Sequence, residues 1–296
     1  MATLSQNQWV ALGSAEISAQ IDPLGAQLSV LQDHAGRNLL WHGDPAIWAG
    51  RAPVLFPIVG TLAGGRYRLG DRSYALGRHG FARGKRFEIV TTSPTSALFR
   101  LGADESTLSV YPFRFELDVA FNVTGATLSV VATVRNIGEE ELPASLGFHP
   151  GFLWPLPSAA DRNSHFLEFE ADEPAPIRRI DADGFVTPEA HPTPIVGRRL
   201  ALRDDLFRDD VIILDQVRSR SVVYGSPDGP RVEISFPDSC YLGLWTRPGA
   251  PFLCIEPWKG IADPAGFSGD FRDKPGVFKV APGESASLGM AITVHR

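Results

Sequence analysis

Three segments carry side chains able to move protons: Arg78-His79-Gly80-Phe81-Ala82-Arg83, Leu146-Gly147-Phe148-His149-Pro150-Gly151-Phe152, and Phe252-Leu253-Cys254-Ile255-Glu256-Pro257-Trp258-Lys259-Gly260. An imidazole with a reference pKa of about 6.5 and a carboxyl of about 4.3 can together give one proton and take another near neutrality. Glu256 is the most informative of the set. It ends an apolar run that reads as a buried strand, and Pro257 is expected to stop that strand one residue after the acid. A buried glutamate is costly to desolvate and rare unless paired, so it wants a partner. A structural salt bridge to an arginine is the competing account. His149 lies between Phe148 and Pro150, with Phe152 and Trp154 nearby. Burial there lowers its pKa and a carboxylate raises it; a core histidine satisfied by a backbone carbonyl would look the same. His79 adjoins Gly80, which allows close approach of a ligand or of backbone; a surface turn is its plain alternative. The reading is that Glu256, His79 and His149 converge on one pocket. Trp258, Trp154 and Phe152 would suit the apolar face of a sugar ring, or simply the core.

Other chemistries lack their signatures. The chain has no Walker loop, no Gly-x-Gly-x-x-Gly after a strand, no Gly-x-Ser-x-Gly elbow, and no His/Cys spacing of a zinc finger or zincin. No nucleotide cofactor and no metal is expected. A net charge of −6 and a pI near 5.7 argue against a nucleic-acid partner, which would call for a basic face. No long apolar run is present, so no membrane span is expected. The start Met1-Ala2-Thr3-Leu4-Ser5-Gln6 lacks the charged and apolar regions of a signal peptide. The two cysteines, Cys240 and Cys254, fit buried free thiols and a cytoplasmic location.

The elements that must position these side chains read as strands. Glycine (29) and proline (24) exceed their usual combined share of about 12% and are spread along the chain, as turns between many short strands would be. Ile17, Ala19 and Ile21 alternate with polar neighbours, and Leu28 and Val30 follow beyond an Asp22-Pro23-Leu24-Gly25 turn. The segment Arg51–Gly60 is apolar but twice broken by proline, hence irregular or edge. Gly64-Gly65 and Gly70-Asp71 bracket a short hairpin. The strongest signal is central: Phe113, Phe115, Leu117, Val119, Phe121 and Val123 occupy every second position, and Leu128, Val130, Ala132 and Val134 resume the pattern. That is a long antiparallel hairpin with one core face. Further strands are expected at 211–214, 221–224, 232–236 and 277–280, with alternation from Leu288 to Val294. Helix signals are scarce; Asp44-Pro45-Ala46-Ile47-Trp48 is the best short one. Asp172 to Arg198, rich in proline and charge, reads as a surface excursion. The expectation is one all-β unit over residues 1–296, a large sandwich of antiparallel sheets with few short helices.

At this point the residues match a family. Arg51 with Phe56-Pro57-Ile58-Val59-Gly60, His79-Gly80-Phe81-Ala82-Arg83, Gly147-Phe148-His149-Pro150 and Ile255-Glu256-Pro257-Trp258-x-Gly260, in that order, resemble the aldose 1-epimerase (mutarotase) superfamily, most closely its LacX-like branch. Pro23-Leu24-Gly25-Ala26-Gln27-Leu28 is similar to the family's opening. The resemblance implies a galactose mutarotase-like β-sandwich that interconverts α and β anomers of an aldose without a cofactor. It implies His149 as general acid at the ring oxygen, Glu256 as general base at the C1 hydroxyl, and His79 as a sugar ligand. It also implies an aspartate that orients hydroxyls, Asp210 or its neighbour Asp209, and an arginine near the first histidine. Galactose-specific members carry an Asn-Arg pair where this chain reads Gly60-Thr61-Leu62-Ala63-Gly64-Gly65, so Arg51 or Arg83 takes the arginine's place and galactose itself is left open. The expected partner is a small aldose or sugar phosphate bound to a monomer or homodimer. A hexose-6-phosphate 1-epimerase, with Arg78, Arg83, Lys85 and Arg86 as its phosphate-binding cluster, and a non-catalytic sugar-binding protein are the rival readings.

Overall fold

A computed structural model describes residues 9–158 and 161–295; the amino-terminal stretch read for a leader lies outside them. Strands dominate and are antiparallel. The largest sheet has nine, in the order 199–201, 166–169, 221–225, 231–235, 285–295, 127–136, 115–124, 96–102 and 88–92. Its centre is the predicted hairpin. Phe115–Thr124 pairs with Thr127–Asn136 through a two-residue Gly125-Ala126 turn, and Ser285–His295 lies along the other side. Phe115, Leu117, Val119, Phe121 and Val123 are buried, with Leu128, Val130, Ala132 and Val134 beside them. Strict period-two patterning thus sends one face of the sheet to the core.

A second sheet runs Ile212–Leu214, Tyr241–Trp245, Phe252–Lys259, Leu146–Phe148 and Val54–Leu55, with Gly151–Leu153 also paired to Phe252–Lys259. Val54–Leu55 is two residues long and at the edge, as the prolines around it require. The six-residue strand Ile17–Asp22 lies between Val10–Gly13 and Gln27–Asp33 in a separate three-stranded sheet. Arg66–Leu69 and Arg72–Ala75 form the small hairpin turned at Gly70-Asp71. Among the described residues the one α-helical turn is Glu105–Leu108, capped by Asp104. The predicted helical segment closes as a single turn, in which the N–H groups of Ile47 and Trp48 both donate to the Asp44 carbonyl.

Three expectations need correction. Pro257 does not end its strand, which continues to Lys259. The neighbouring strand is interrupted between Phe148 and Gly151, so the missing N–H of Pro257 falls where no ladder bond is needed. Cys240 is exposed, because it lies just before Tyr241–Trp245 rather than inside it; Cys254 is buried. The Asp172–Arg198 stretch is more than a surface excursion. It carries the buried Glu173, whose carboxylate accepts from the N–H groups of Arg218 and Ser219. Through isolated bridges Arg178–Ile213 and Val186–Pro264 it also folds back over the second sheet.

Candidate active site

The strand Phe252–Lys259 supplies Glu256, and its interrupted neighbour supplies His149. Gly147 pairs with Trp258 and Gly151 with Cys254. These two pairs share one register, so His149 stands directly opposite Glu256 across the gap between them. Pro150 and Pro257 flank that gap, one on each strand. A cross-strand pair is the closest approach a sheet offers two side chains, and His149 Nε2 lies 3.1 Å from Glu256 Oε2. The contact is close but not aligned as a hydrogen bond: Glu256 Oε2 and His149 Nδ1 are both buried without a hydrogen-bond partner.

His79 arrives from the first motif, held by a reciprocal pair of bonds. Its N–H donates to the Gly60 carbonyl and its Nδ1 accepts from the Gly60 N–H at 3.1 Å. Its Nε2 is also engaged, lying 3.3 Å from Arg78 Nε, which donates to it. Its φ of 66° is left-handed. Gly80 is required beside it, because a Cβ there would fall 2.1 Å from the Phe56 carbonyl oxygen. The His79 and His149 rings meet edge to face at 5.7 Å.

These residues floor a cavity of about 210 Å³. Val59, Gly60, Ile213, Trp258 and Ala262 line its walls, with Ile180 and Gly184 from the excursion and Asp210 beside Val211. Asp210, also left-handed at φ 61°, accepts the Val211 N–H through Oδ1 and its carbonyl accepts from Arg179. Asp209 is exposed and outside the lining. Arg78, Arg83 and Arg247 line the cavity, their side chains reaching solvent.

Some expected residues are elsewhere. Arg51 lies outside the lining, with its guanidinium 4.9 Å from the centre of the Trp9 ring. Trp154 and Phe152 are fully buried in the core. Their expected place is taken by Trp48, stacked on His149 at 5.0 Å, and Trp245, edge-on at 5.7 Å. Lys85 is tied to Asp104 at 3.3 Å and to the Ser106 hydroxyl, away from the cavity. Trp48, Trp245 and Arg247 carry no motif signal; only folding brings them to the site.

Burial sets the electrostatics. It pushes the Glu256 carboxyl well above its usual range, against the opposing pull of Arg78 and the Trp258 indole, whose N–H falls short of a formed hydrogen bond. It pushes His149 down to about 3, with Arg78 and Arg83 adding to the fall. His79 is held well below its usual value by burial first, then by His149 and the same arginines. Burial thus disfavours the charged form of both members of the His149–Glu256 pair.

The aldose 1-epimerase family model matches residues 9–292. The chain belongs to the aldose 1-epimerase family. Within that family it is similar to the chromosomal protein LacX of Lactococcus lactis subsp. lactis, at 32% identity over 295 residues, covering 96% of this chain and 99% of that one. Among solved structures it resembles a galactose mutarotase related enzyme from Lactobacillus acidophilus, with a TM-score of 0.90 at 30% identity and 98% of each chain covered. It also resembles a galactose mutarotase-like protein from Lactobacillus casei, with a TM-score of 0.91 at 29% identity, covering 97% of this chain and 100% of that one. Likeness to these galactose mutarotase-like structures makes the antiparallel sheets described above a β-sandwich of that type.

Proposed function

We propose that this protein is an aldose 1-epimerase that interconverts α and β anomers by opening and re-closing the hemiacetal ring. The observation that carries the reading is the opposed His149–Glu256 pair, 3.1 Å apart at the floor of a cavity. Ring opening needs one proton delivered to the ring oxygen and one removed from the C1 hydroxyl. A paired imidazole and carboxyl have both capacities. As sugar hydroxyls donate to Glu256 they favour its carboxylate, and the proton passes to His149. His149 then protonates the ring oxygen while Glu256 takes the C1 hydroxyl proton. The freed aldehyde turns about the C1–C2 bond, and re-closure runs with the roles reversed. His79, together with the Arg78 that donates to its Nε2, and the Asp210 carboxylate serve as hydroxyl partners, and Trp258 presents an apolar wall.

Polarimetry of freshly dissolved sugar, with anomer-exchange NMR across hexoses and pentoses, tests the proposal. Glu256→Gln and His149→Asn are each expected to lower exchange by about 10²–10⁴-fold while the fold is kept. Full activity in either variant removes that residue's role. Sugar binding without accelerated exchange in the parent points instead to a carbohydrate-binding protein.

One observation favours an anionic aldose as the substrate. Among the described residues Arg78, Arg83 and Arg247 line the cavity with no carboxylate in an ion pair with any of them. Arginine suits a phosphate or carboxylate through bidentate bonds. Comparing a free hexose with its 6-phosphate in the exchange assay separates the two, and preference for the phosphate identifies a sugar-phosphate epimerase.

A further inference from the structure

Two residues before Glu256, on the same strand, stands Cys254. Side chains two apart on a strand share a face, and the consequence is a cluster of three different donor types. The Cys254 sulfur, an imidazole nitrogen of His149 and a carboxylate oxygen of Glu256 all lie within 4.8 Å of one another. The three residues are 0%, 8% and 1% exposed. Glu256 Oε2, the atom that faces His149 Nε2, is buried without a hydrogen-bond partner, and so is Nδ1 of the His149 ring. Such atoms are costly to leave unpaired. The acid/base reading makes no use of Cys254.

We propose that His149, Cys254 and Glu256 form a binding site for a thiophilic divalent cation, Zn²⁺ foremost, whose occupation blocks the acid/base pair. Bond lengths of about 2.0–2.3 Å to nitrogen, oxygen and sulfur set neighbouring donors about 3.3–3.8 Å apart around a tetrahedral ion. The 3.1 Å between His149 and Glu256 and the 4.8 Å limit on the whole set bracket that spacing, so small side-chain rotations close the site. Three protein ligands leave a fourth position for water or a substrate hydroxyl. On binding, the thiol and the carboxyl each release a proton, and the resulting thiolate and carboxylate balance the charge of the ion. The buried complex is then neutral. The arginines around the cavity disfavour cations held by charge alone, so selection rests on the thiolate and Mg²⁺ is rejected. A bound ion occupies the atoms that would exchange protons with the sugar, so its effect is inhibition.

Co²⁺, which reports its ligands optically, is the probe. Added to the full chain it is expected to give a thiolate-to-cobalt charge-transfer band and the intense visible absorption of a four-coordinate site. Zn²⁺ should erase both at about one ion per chain, and Mg²⁺ should not. Cys240 is the other thiol and is exposed, so Cys240→Ala must keep the bands while Cys254→Ala and His149→Asn lose them. In the exchange assay Cys254→Ala should run within about threefold of the parent without metal and tolerate at least about tenfold more Zn²⁺. Absence of the bands in folded parent protein at millimolar Co²⁺, or their loss with Cys240 instead of Cys254, overturns the site. The inhibition rests on the acid/base reading but the optical signal does not. Cobalt bands in a protein that fails to exchange anomers refute that reading alone.

Discussion

At the residue scale, the site depends on two non-glycine residues held in left-handed backbone, His79 and Asp210. Asparagine and aspartate tolerate that region better than other residues because a short polar side chain bonds locally, and Asp210 Oδ1 does bond the Val211 N–H at 2.7 Å. Asp210→Ala loses both the local bond and the tolerance, and is expected to cost about 1–2 kcal/mol of stability as well as sugar affinity. Asp210→Asn keeps the backbone and should lose affinity alone. Urea denaturation beside sugar titration distinguishes the two; equal stability loss in both variants refutes the backbone argument. The Asp210 and Asp209 alternatives were inseparable in the sequence, since adjacent residues differ only in which way the turn aims them.

At the element scale, the interrupted neighbour of the Phe252–Lys259 strand makes the site possible. The His149 N–H turns away from Phe252–Lys259 to the Pro53 carbonyl, the Ile255 N–H donates to the Pro150 carbonyl beside it, and a proline on each strand flanks the pair. Glycines then make room for Trp258. A Cβ on Gly243, which is paired with Glu256, would lie 2.4 Å from the Trp258 ring, and one on Gly147 would lie 2.9 Å from it. Gly243→Ala is therefore expected to destabilise by about 1–3 kcal/mol through overpacking. It should also lower exchange by displacing the cavity wall, and Trp258 fluorescence should shift with it. Unchanged emission and activity would refute the packing role. The motif glycines were visible in the sequence, but Gly243 was not, because its demand comes from a ring one strand away.

At the scale of the whole molecule, burying the pair makes stability depend on pH. His79 and His149 resist protonation in the fold, while their unfolded counterparts take up protons below about 6.5. Each histidine then removes about 1.4 kcal/mol per pH unit as pH falls. Glu256 acts with the opposite sign. Folded, it keeps its proton above the unfolded value of 4.5, and that advantage fades as pH rises towards its raised folded pKa. The histidine effect is lost on acidification through 6.5, and the carboxyl effect is lost as pH rises above 4.5. Urea midpoints measured across pH should show the acid loss in parent and Glu256→Gln alike, with the carboxyl's alkaline loss removed in Glu256→Gln. If the alkaline limb is unaltered in that variant, Glu256 is not buried as a neutral acid.

Local pattern was enough to specify the long hairpin from Phe115 to Asn136, the edge character of the Val54–Leu55 segment, and the family likeness carried by four ordered motifs. Those features arise from period-two burial and from proline and glycine stereochemistry, which act within a few residues. Folding alone selected Trp48, Trp245 and Arg247 for the cavity, moved Arg51 away from it, and set Cys254 beside the acid and the imidazole. These placements depend on which distant strands become neighbours and in what register. Register is a property of the assembled sheet, so a chain read one segment at a time does not contain it.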